Sequence, residues 1–269
     1  MTNRTFIESR NNKIIKSAMK LKEKKYRTKE KSYLVEGFRL IEEALKAGMK
    51  VTQLFYIMEK EEEFSHYIEP YLTDEKVFTT TPEIIAQLSN TKTPQGIIAI
   101  LNIPSGWEDK ISSGSFNHSI FIYADGLQDP GNLGTLIRSA HASGAEGVII
   151  GPNTVDPYSD KVIRSSMGSI FHLPLFEDST KVSAKLEELG FTYAITSLDG
   201  SKSVFQEDLT KNIILVIGNE GKGISEKFQG IEGLKLKIPM PGGAESLNAS
   251  VAASVILFER VRQLENLYK

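Results

Sequence analysis

The chain has 269 residues, 40% hydrophobic and 25% charged, with a formal net charge of −2, a composition that suits one large or two small folded cores. It contains no cysteine, which excludes disulfides, thiolate metal sites and cysteine nucleophiles. His66, His118, His141 and His172 show no ligand spacing, and no apolar run reaches the roughly 18 residues of a membrane-spanning helix, so neither a metal protein nor a membrane protein is expected.

The charge is uneven along the chain. Residues 1–31 hold eleven Lys and Arg against three Glu, a formal +8, which leaves −10 for the rest. Lys13, Lys16, Lys20, Lys24, Arg27 and Lys31 recur at steps of three and four, which predicts one helix with a basic face. Ile14, Ala18 and Leu21 line another face of it. Such a stripe binds nucleic acid by releasing counterions from phosphates, although a solvated helix has the same pattern. No apolar targeting segment or small-residue cleavage site accompanies the basic residues, so a cytoplasmic location is expected.

From Tyr33-Leu-Val-Glu-Gly37 onward, helix and strand signals alternate. Phe38, Leu40, Ile41, Ala44 and Leu45 stand at helical spacing, and Gly48 suits the left-handed stop after them. Residues 51–57 read as a strand, 64–71 as a short helix and 77–79 as a strand. Thr81-Pro82 then opens a helix over 83–88, and 96–101 is an apolar strand. Residues 1–101 are thus expected to form a basic arm and a small α/β domain. Residues 102–118, with Pro, Gly, Ser and Asn and little periodicity, read as a linker.

A second domain, 119–269, opens with an apolar strand over 119–124, a turn over 125–132 and a helix to about Ser143. Asn132 is placed to cap that helix, with Asp125 and Asp129 as turn-formers before Pro130-Gly131. Strands follow at 147–150, 191–196, 213–217 and 234–238, with helices at 161–167 and from Ser246 onward. Continuous apolar strands separated by helices predict an α/β fold whose mainly parallel sheet is covered on both faces. Ligands of such sheets lie beyond the carboxyl ends of the strands.

Three segments fall at such ends. Gly218-Asn-Glu-Gly-Lys-Gly-Ile-Ser225 looks like a phosphate loop but fails the spacing of one. Aligning Gly221-Lys222 on a Walker pattern puts Val216 at its first Gly and Gly223 at its hydroxyl position, and a dinucleotide fingerprint begun at Gly221 meets Glu226 where Gly is needed. Its glycines still let backbone approach a ligand closely. Ile238-Pro-Met-Pro-Gly-Gly-Ala-Glu-Ser-Leu-Asn248 carries two prolines and two glycines, so it is neither regular strand nor helix. Its backbone carbonyls and amides could hold an adenine edge. The small residues from Ala249 to Ser254 allow close helix packing, in the core or between subunits. Asn132-Leu-Gly-Thr-Leu-Ile-Arg138 puts an Asn and an Arg six apart around Gly134.

In their order and intervals, these three segments resemble the motifs of the SpoU (TrmH-like) branch of the SPOUT RNA methyltransferases. Leu34-Val-Glu-Gly-Phe-Arg-Leu40 and Thr93-Pro-Gln-Gly-Ile-Ile-Ala99 are similar to the ribosomal-protein-like substrate-binding domain that precedes the catalytic domain in many of them. The resemblance implies a trefoil-knotted catalytic domain, S-adenosyl-L-methionine as methyl donor, a ribose 2′-hydroxyl of RNA as acceptor, and a homodimer formed through the catalytic domain. It implies cofactor binding by Gly218, Glu220, Gly223, Ile238, Met240, Leu247 and Asn248, and catalysis by Arg138, Asn132, Glu220, Ser246 and Asn248. Arg39 and Arg164, the latter in Arg164-Ser-Ser-Met-Gly-Ser169, join the basic stripe as expected RNA contacts.

Arginine at position 138 suits a phosphate and a developing alkoxide. The resemblance also implies a general-base role for it, which would require strong desolvation or neighbouring positive charge. The two-domain layout favours ribosomal over transfer RNA. Competing readings are a catalytically inactive RNA-binding protein on this fold, and a nucleotide-binding dehydrogenase or NTPase, which the loop spacings oppose.

Overall fold

The computed structural model describes residues 4–105, 109, 111, 114–178, 180–196 and 202–267. They divide into two units, Met1–Ser105 with Tyr158–Ile163, and Gly106–Pro157 with Arg164–Lys269. Within the expected 102–118 linker, residues 106–108, 110, 112 and 113 lie outside the described residues.

The first unit is built on five strands, β1 (Thr5–Ile7), β2 (Ser32–Glu36), β3 (Val51–Ile57), β4 (Lys76–Thr80) and β5 (Ile97–Asn102), in the order β1-β4-β3-β5-β2. β4 runs parallel to β1 and β3, whereas β5 is antiparallel to β3 and β2. Helix α3 (Phe38–Lys46) follows β2 through the Leu34–Leu40 segment, which contains a buried carboxylate. Glu36 accepts from Ser89 Oγ at 2.6 Å, Thr91 Oγ1 at 3.0 Å and the Gln95 amide at 3.0 Å. The two segments similar to the substrate-binding domain are therefore tied to each other by one side chain.

The basic N-terminal segment differs from expectation in two ways. It is no appended arm, because β1 pairs with β4 and Ile7, Ile15, Ala18 and Leu21 enter the core around Phe55, Phe78 and Ile98. Nor is it one helix. Asn12 caps α1 (Lys13–Lys20) by accepting from the Ile14 amide at 2.8 Å, the chain turns at residues 21–23, and α2 (Lys24–Glu30) begins anew.

Arg27 holds that turn. It is 8% exposed and donates from Nη1 to the carbonyls of Leu21 (2.8 Å) and Lys22 (2.7 Å), groups that a helix end leaves without partners. Its expected place in an RNA-facing stripe is thus corrected, since periodicity along a sequence does not register a break in the helix. Lys13, Lys16, Lys20, Lys24 and Lys31 stay exposed. Arg39 is exposed too, lying 4.2 Å from the centre of the Tyr67 ring and 3.4 Å from Glu42.

The second unit has the expected parallel sheet, with every described pairing parallel. Its strands are β6 (Ile120–Ala124), β7 (Gly147–Ile150), β8 (Leu175–Glu177), β9 (Thr192–Thr196), β10 (Lys202–Ser203), β11 (Ile213–Ile217) and β12 (Gly233–Lys237), ordered β10-β12-β9-β11-β6-β7-β8. Helices α6 (Pro130–Ala142), α8 (Thr180–Glu188) and α9 (Ala249–Leu267) connect or follow them; α4 (Glu61–Tyr67) and α5 (Pro82–Leu88) belong to the first unit, and α7 (Asp160–Ser165) has residues 160–163 in the first unit and 164–165 in the second. β6 and β11 are buried at every residue and adjacent at the centre of the sheet. The chain leaves their carboxyl ends at 125 and 218, and that of β12 at 238, so all three motifs start from the same end of the sheet.

The role of Arg27 separates it experimentally from the lysines. Arg27→Ala is expected to destabilise the first unit by about 1–3 kcal/mol, the cost of buried carbonyls losing a charged donor. It should leave the slope of log binding constant against log salt for RNA unchanged. Lys16, Lys20 and Lys24 changed together to Gln should make that slope shallower by roughly 0.7–0.9 for each phosphate no longer neutralised. Chemical denaturation and a salt titration of RNA binding read the two effects.

Candidate functional site

The helix after β6 starts earlier than expected. Asp129 is the cap, its Oδ1 accepting from the Asn132 amide at 2.9 Å, and Pro130 takes the first helical position where no N–H is needed. Asn132 is therefore not a cap, and its side-chain amide is left for other work. At the far end of the site the cap is Asn248. Its Oδ1 accepts from the Ser250 amide at 3.0 Å and from Ser250 Oγ at 2.7 Å, starting α9 at Ala249 and leaving Ser246 and Leu247 in the preceding loop.

That cap sets the direction of a hydrogen-bond chain. With its oxygen used as an acceptor, Asn248 has Nδ2 left to donate, and it does so to Asn132 Oδ1 at 2.8 Å. Asn132 then has only its own Nδ2 to offer, which donates to Glu220 Oε1 at 2.6 Å. One side chain from each motif thus joins a single polar line, and the orientation of each amide follows from the one before it.

Glu220 rides on a closed turn. Asn219 and Gly223 exchange backbone hydrogen bonds of 2.8 and 2.9 Å, and Asn219 Oδ1 accepts from the Gly221 and Lys222 amides at 2.9 and 3.0 Å. Gly223 closes the turn at φ +70°, which favours glycine. Gly218 is needed for space: a Cβ there would lie 2.5 Å from the Gly223 carbonyl carbon and 2.7 Å from the Ile224 nitrogen. The obstacle to a side chain is the loop's own backbone.

This turn and the 238–248 segment line one cavity of about 980 Å³. Leu236, Ile238, Met240 and Leu247 contribute apolar surface, Gly218, Gly221 and Gly223 expose backbone, and Ser246 and Asn248 add polar groups. Glu220 and Glu245 bring two carboxylates and Lys237 one amine. A pocket of this size and character fits a flat heteroaromatic ring with polar edges joined to a cationic group. Thr196, Asn219 and Glu245 also line it and were not singled out from the sequence; Asn219 and Glu245 lie inside the motifs, but nothing local marks them as facing inward.

Arg138 does not line the cavity. It is exposed on α6, with no hydrogen bond or ion pair to it among the described residues. The strong desolvation that a base role would require is not present there. Arg164, half-buried at the end of α7, is likewise not in the lining. Helix α9 packs on α6 with Ser139 Oγ and Ser254 Oγ 2.7 Å apart, so part of its small-residue run serves the core. Among the described residues, no group of three or more His, Asp or Glu could hold a metal ion, and no helix is long and apolar enough to cross a membrane.

Comparison with known proteins agrees with this architecture. Residues 119–258 match the SpoU rRNA methylase family, and residues 12–99 match an MRM3-like substrate-binding domain. The chain is 34% identical over 260 residues to the 23S rRNA (guanosine(2553)-2′-O)-methyltransferase RlmP of Bacillus subtilis, covering 94% of this chain and 97% of that protein. It is 32% identical over 268 residues to the 23S rRNA (uridine(2479)-2′-O)-methyltransferase of Streptomyces viridochromogenes, covering 96% and 92%. A crystal structure of an AdoMet-bound rRNA methyltransferase from Sinorhizobium meliloti superposes with a TM-score of 0.84 at 30% identity, covering 97% of this chain and 98% of that one.

The cavity geometry makes Gly218 a direct test of where the methyl donor binds. Gly218→Val is expected to force residues 223–224 out of place and to remove the rise in melting temperature that added S-adenosylmethionine gives the wild type by mass action. A full ligand-induced shift in the variant would place the cofactor elsewhere.

Proposed function

The chain belongs to the SpoU rRNA methylase family, and from that premise we propose that it methylates a ribose 2′-hydroxyl of ribosomal RNA, with S-adenosyl-L-methionine as donor. The observation that carries the reading is the Asn248–Asn132–Glu220 chain, which unites three motifs at the rim of a cavity suited to that donor. When bound, the cofactor supplies an electrophilic methyl group on a positively charged sulfur. Leu236, Ile238, Met240 and Leu247 with the glycine-rich backbone would hold its adenosine, and the carboxylates of Glu220 and Glu245 complement its positive charge. Ser246 precedes the Asn248 cap and helps form the same wall.

A ribose hydroxyl is a weak nucleophile, so the protein's task is to fix it and to stabilise charge as it develops on oxygen. Arg138 is suited to that task. It stands six residues beyond Asn132 on the same helix, exposed and without a partner among the described residues, so its guanidinium is available to a phosphate and the adjacent ribose oxygen. We assign it charge stabilisation and positioning, the roles that an exposed guanidinium with a planar fork of donors can serve toward phosphate and ribose oxygen.

The first unit supplies the RNA grip in this reading. Lys13, Lys16, Lys20 and Lys24 are exposed over two successive helices, and Arg39 offers a guanidinium beside Tyr67. The two relatives act on a guanosine and on a uridine, so the proposal specifies the ribose and not the base. A homodimer is part of the proposal as well: Val251 and Phe258 on α9 are 46% and 50% exposed, two turns apart on one face, and a second copy of the chain would cover them. The trefoil threading of the 238–248 segment and a cytoplasmic site of action complete the reading.

The division between donor site and RNA site is testable at Arg138. Arg138→Ala is expected to lower methyl transfer by at least about 10²–10³-fold, the typical cost of losing a charge-stabilising donor, with calorimetric affinity for S-adenosylmethionine nearly unchanged. A transfer rate close to wild type would sink the mechanism.

A further inference from the structure

The loop that carries Glu220 is pinned at both ends by two consecutive residues that follow β6. Asp125 is the first of them, is 4% exposed, and extends the β6–β11 ladder by donating its amide to the Ile217 carbonyl at 2.9 Å. Its Oδ2 accepts from the Ser225 amide at 2.6 Å, which fixes the far end of the loop. The near end is fixed by Asn219, whose Nδ2 donates to the Gly126 carbonyl at 2.8 Å. Gly126 is held in turn by Thr154 Oγ1, which accepts from its amide at 3.1 Å and donates to the Ala124 carbonyl at 2.9 Å.

A buried carboxylate is costly unless hydrogen-bonded, and no ion pair compensates Asp125 among the described residues. What it gains is a short charge-assisted bond to a backbone amide, a stronger tether than a neutral acceptor makes. The same segment then runs directly into α6 and delivers Asn132 to Glu220. Residues 125–132 therefore hold the loop at Ser225, at Asn219 and at Glu220.

Resting on the cofactor site proposed above, we propose that Asp125 is a positioning residue. It touches neither donor nor RNA; it sets the height of the 219–225 loop so that the Glu220 carboxylate meets Asn132 and faces the cavity. A residue that only stabilised the fold would lower the melting temperature without acting through Glu220. The two roles separate in a double-mutant cycle read by calorimetric affinity for S-adenosylmethionine.

Asp125→Ala and Glu220→Ala should each weaken binding about tenfold, the effect of one hydrogen bond to a charged group, and the double variant should be no weaker than Glu220→Ala alone. Asp125→Asn should restore affinity to within about threefold, because its side-chain carbonyl can accept the same N–H. Ser225→Pro offers an independent approach should Asp125→Ala fail to fold. Ser225 has φ −69°, which proline adopts, and the change removes the donor while keeping Asp125. It should reproduce the loss seen with Asp125→Ala. Additive losses in the cycle, a failed rescue by Asn, or wild-type affinity in Ser225→Pro would overturn the inference while leaving the cofactor site intact. If Glu220→Ala alone binds like wild type, the site itself is misassigned and the inference falls with it.

Discussion

The site depends on a single constraint, that an asparagine amide has one oxygen and one nitrogen. Asn248 commits its oxygen to the start of the last helix, so its nitrogen must donate, Asn132 must receive and then donate, and Glu220 must accept. The direction of every bond follows from one capping interaction. Such a chain is intolerant: an acid at position 132 would face Glu220 with a like charge, and a short apolar residue would leave two neighbours without partners. The capping bond that starts α9 and the geometry of the pocket are one structural fact.

The parallel sheet explains why three distant segments meet. β6 and β11 lie side by side, β9 separates β11 from β12, and parallel order puts all of their carboxyl ends on the same edge. Loops leaving that edge are close without long excursions, which is the general reason open α/β sheets bind ligands there. The first unit has a mixed sheet and a different purpose. Its buried Glu36 organises a loop, while Lys13, Lys16, Lys20, Lys24 and Lys31 remain exposed. In the proposed division of labour, catalysis and RNA capture fall to surfaces of opposite electrostatic character, acidic at the cavity and basic on the first two helices.

Much of this was legible before any coordinates. The glycines at 218, 221 and 223 marked a loop whose backbone must come close to something, which at Gly218 is the loop's own backbone at 223–224, and the paired prolines of the 238–248 segment excluded regular structure. Long apolar strands such as residues 213–217 announced a covered parallel sheet. What escaped was set by tertiary contact. Arg27 fits a helical charge pattern, yet the chain turns between Lys20 and Lys24 and its guanidinium goes inward to two carbonyls. One miss had a local sign: Asp129 and Asn132 are both good caps, and Pro130 at the first helical position marks Asp129 as the one used. Strand β10, of two residues, and strand β8, of three, are too short for any period to show. Asp125 reads locally as a turn-former; its bond to Ser225, one hundred residues away, has no local signature.

The central claim is that the three-motif polar chain serves methylation of an rRNA ribose. Mapping of 2′-O-methyl groups across the ribosomal RNAs tests it most directly, in cells lacking this protein and in the same cells given back either the wild type or Asn132→Asp. The account predicts that one ribose loses its methyl group in the deletion, regains it with the wild type, and stays unmodified with Asn132→Asp although that protein accumulates and still binds RNA. An unchanged methylation map in the deletion, or full restoration by Asn132→Asp, would contradict it.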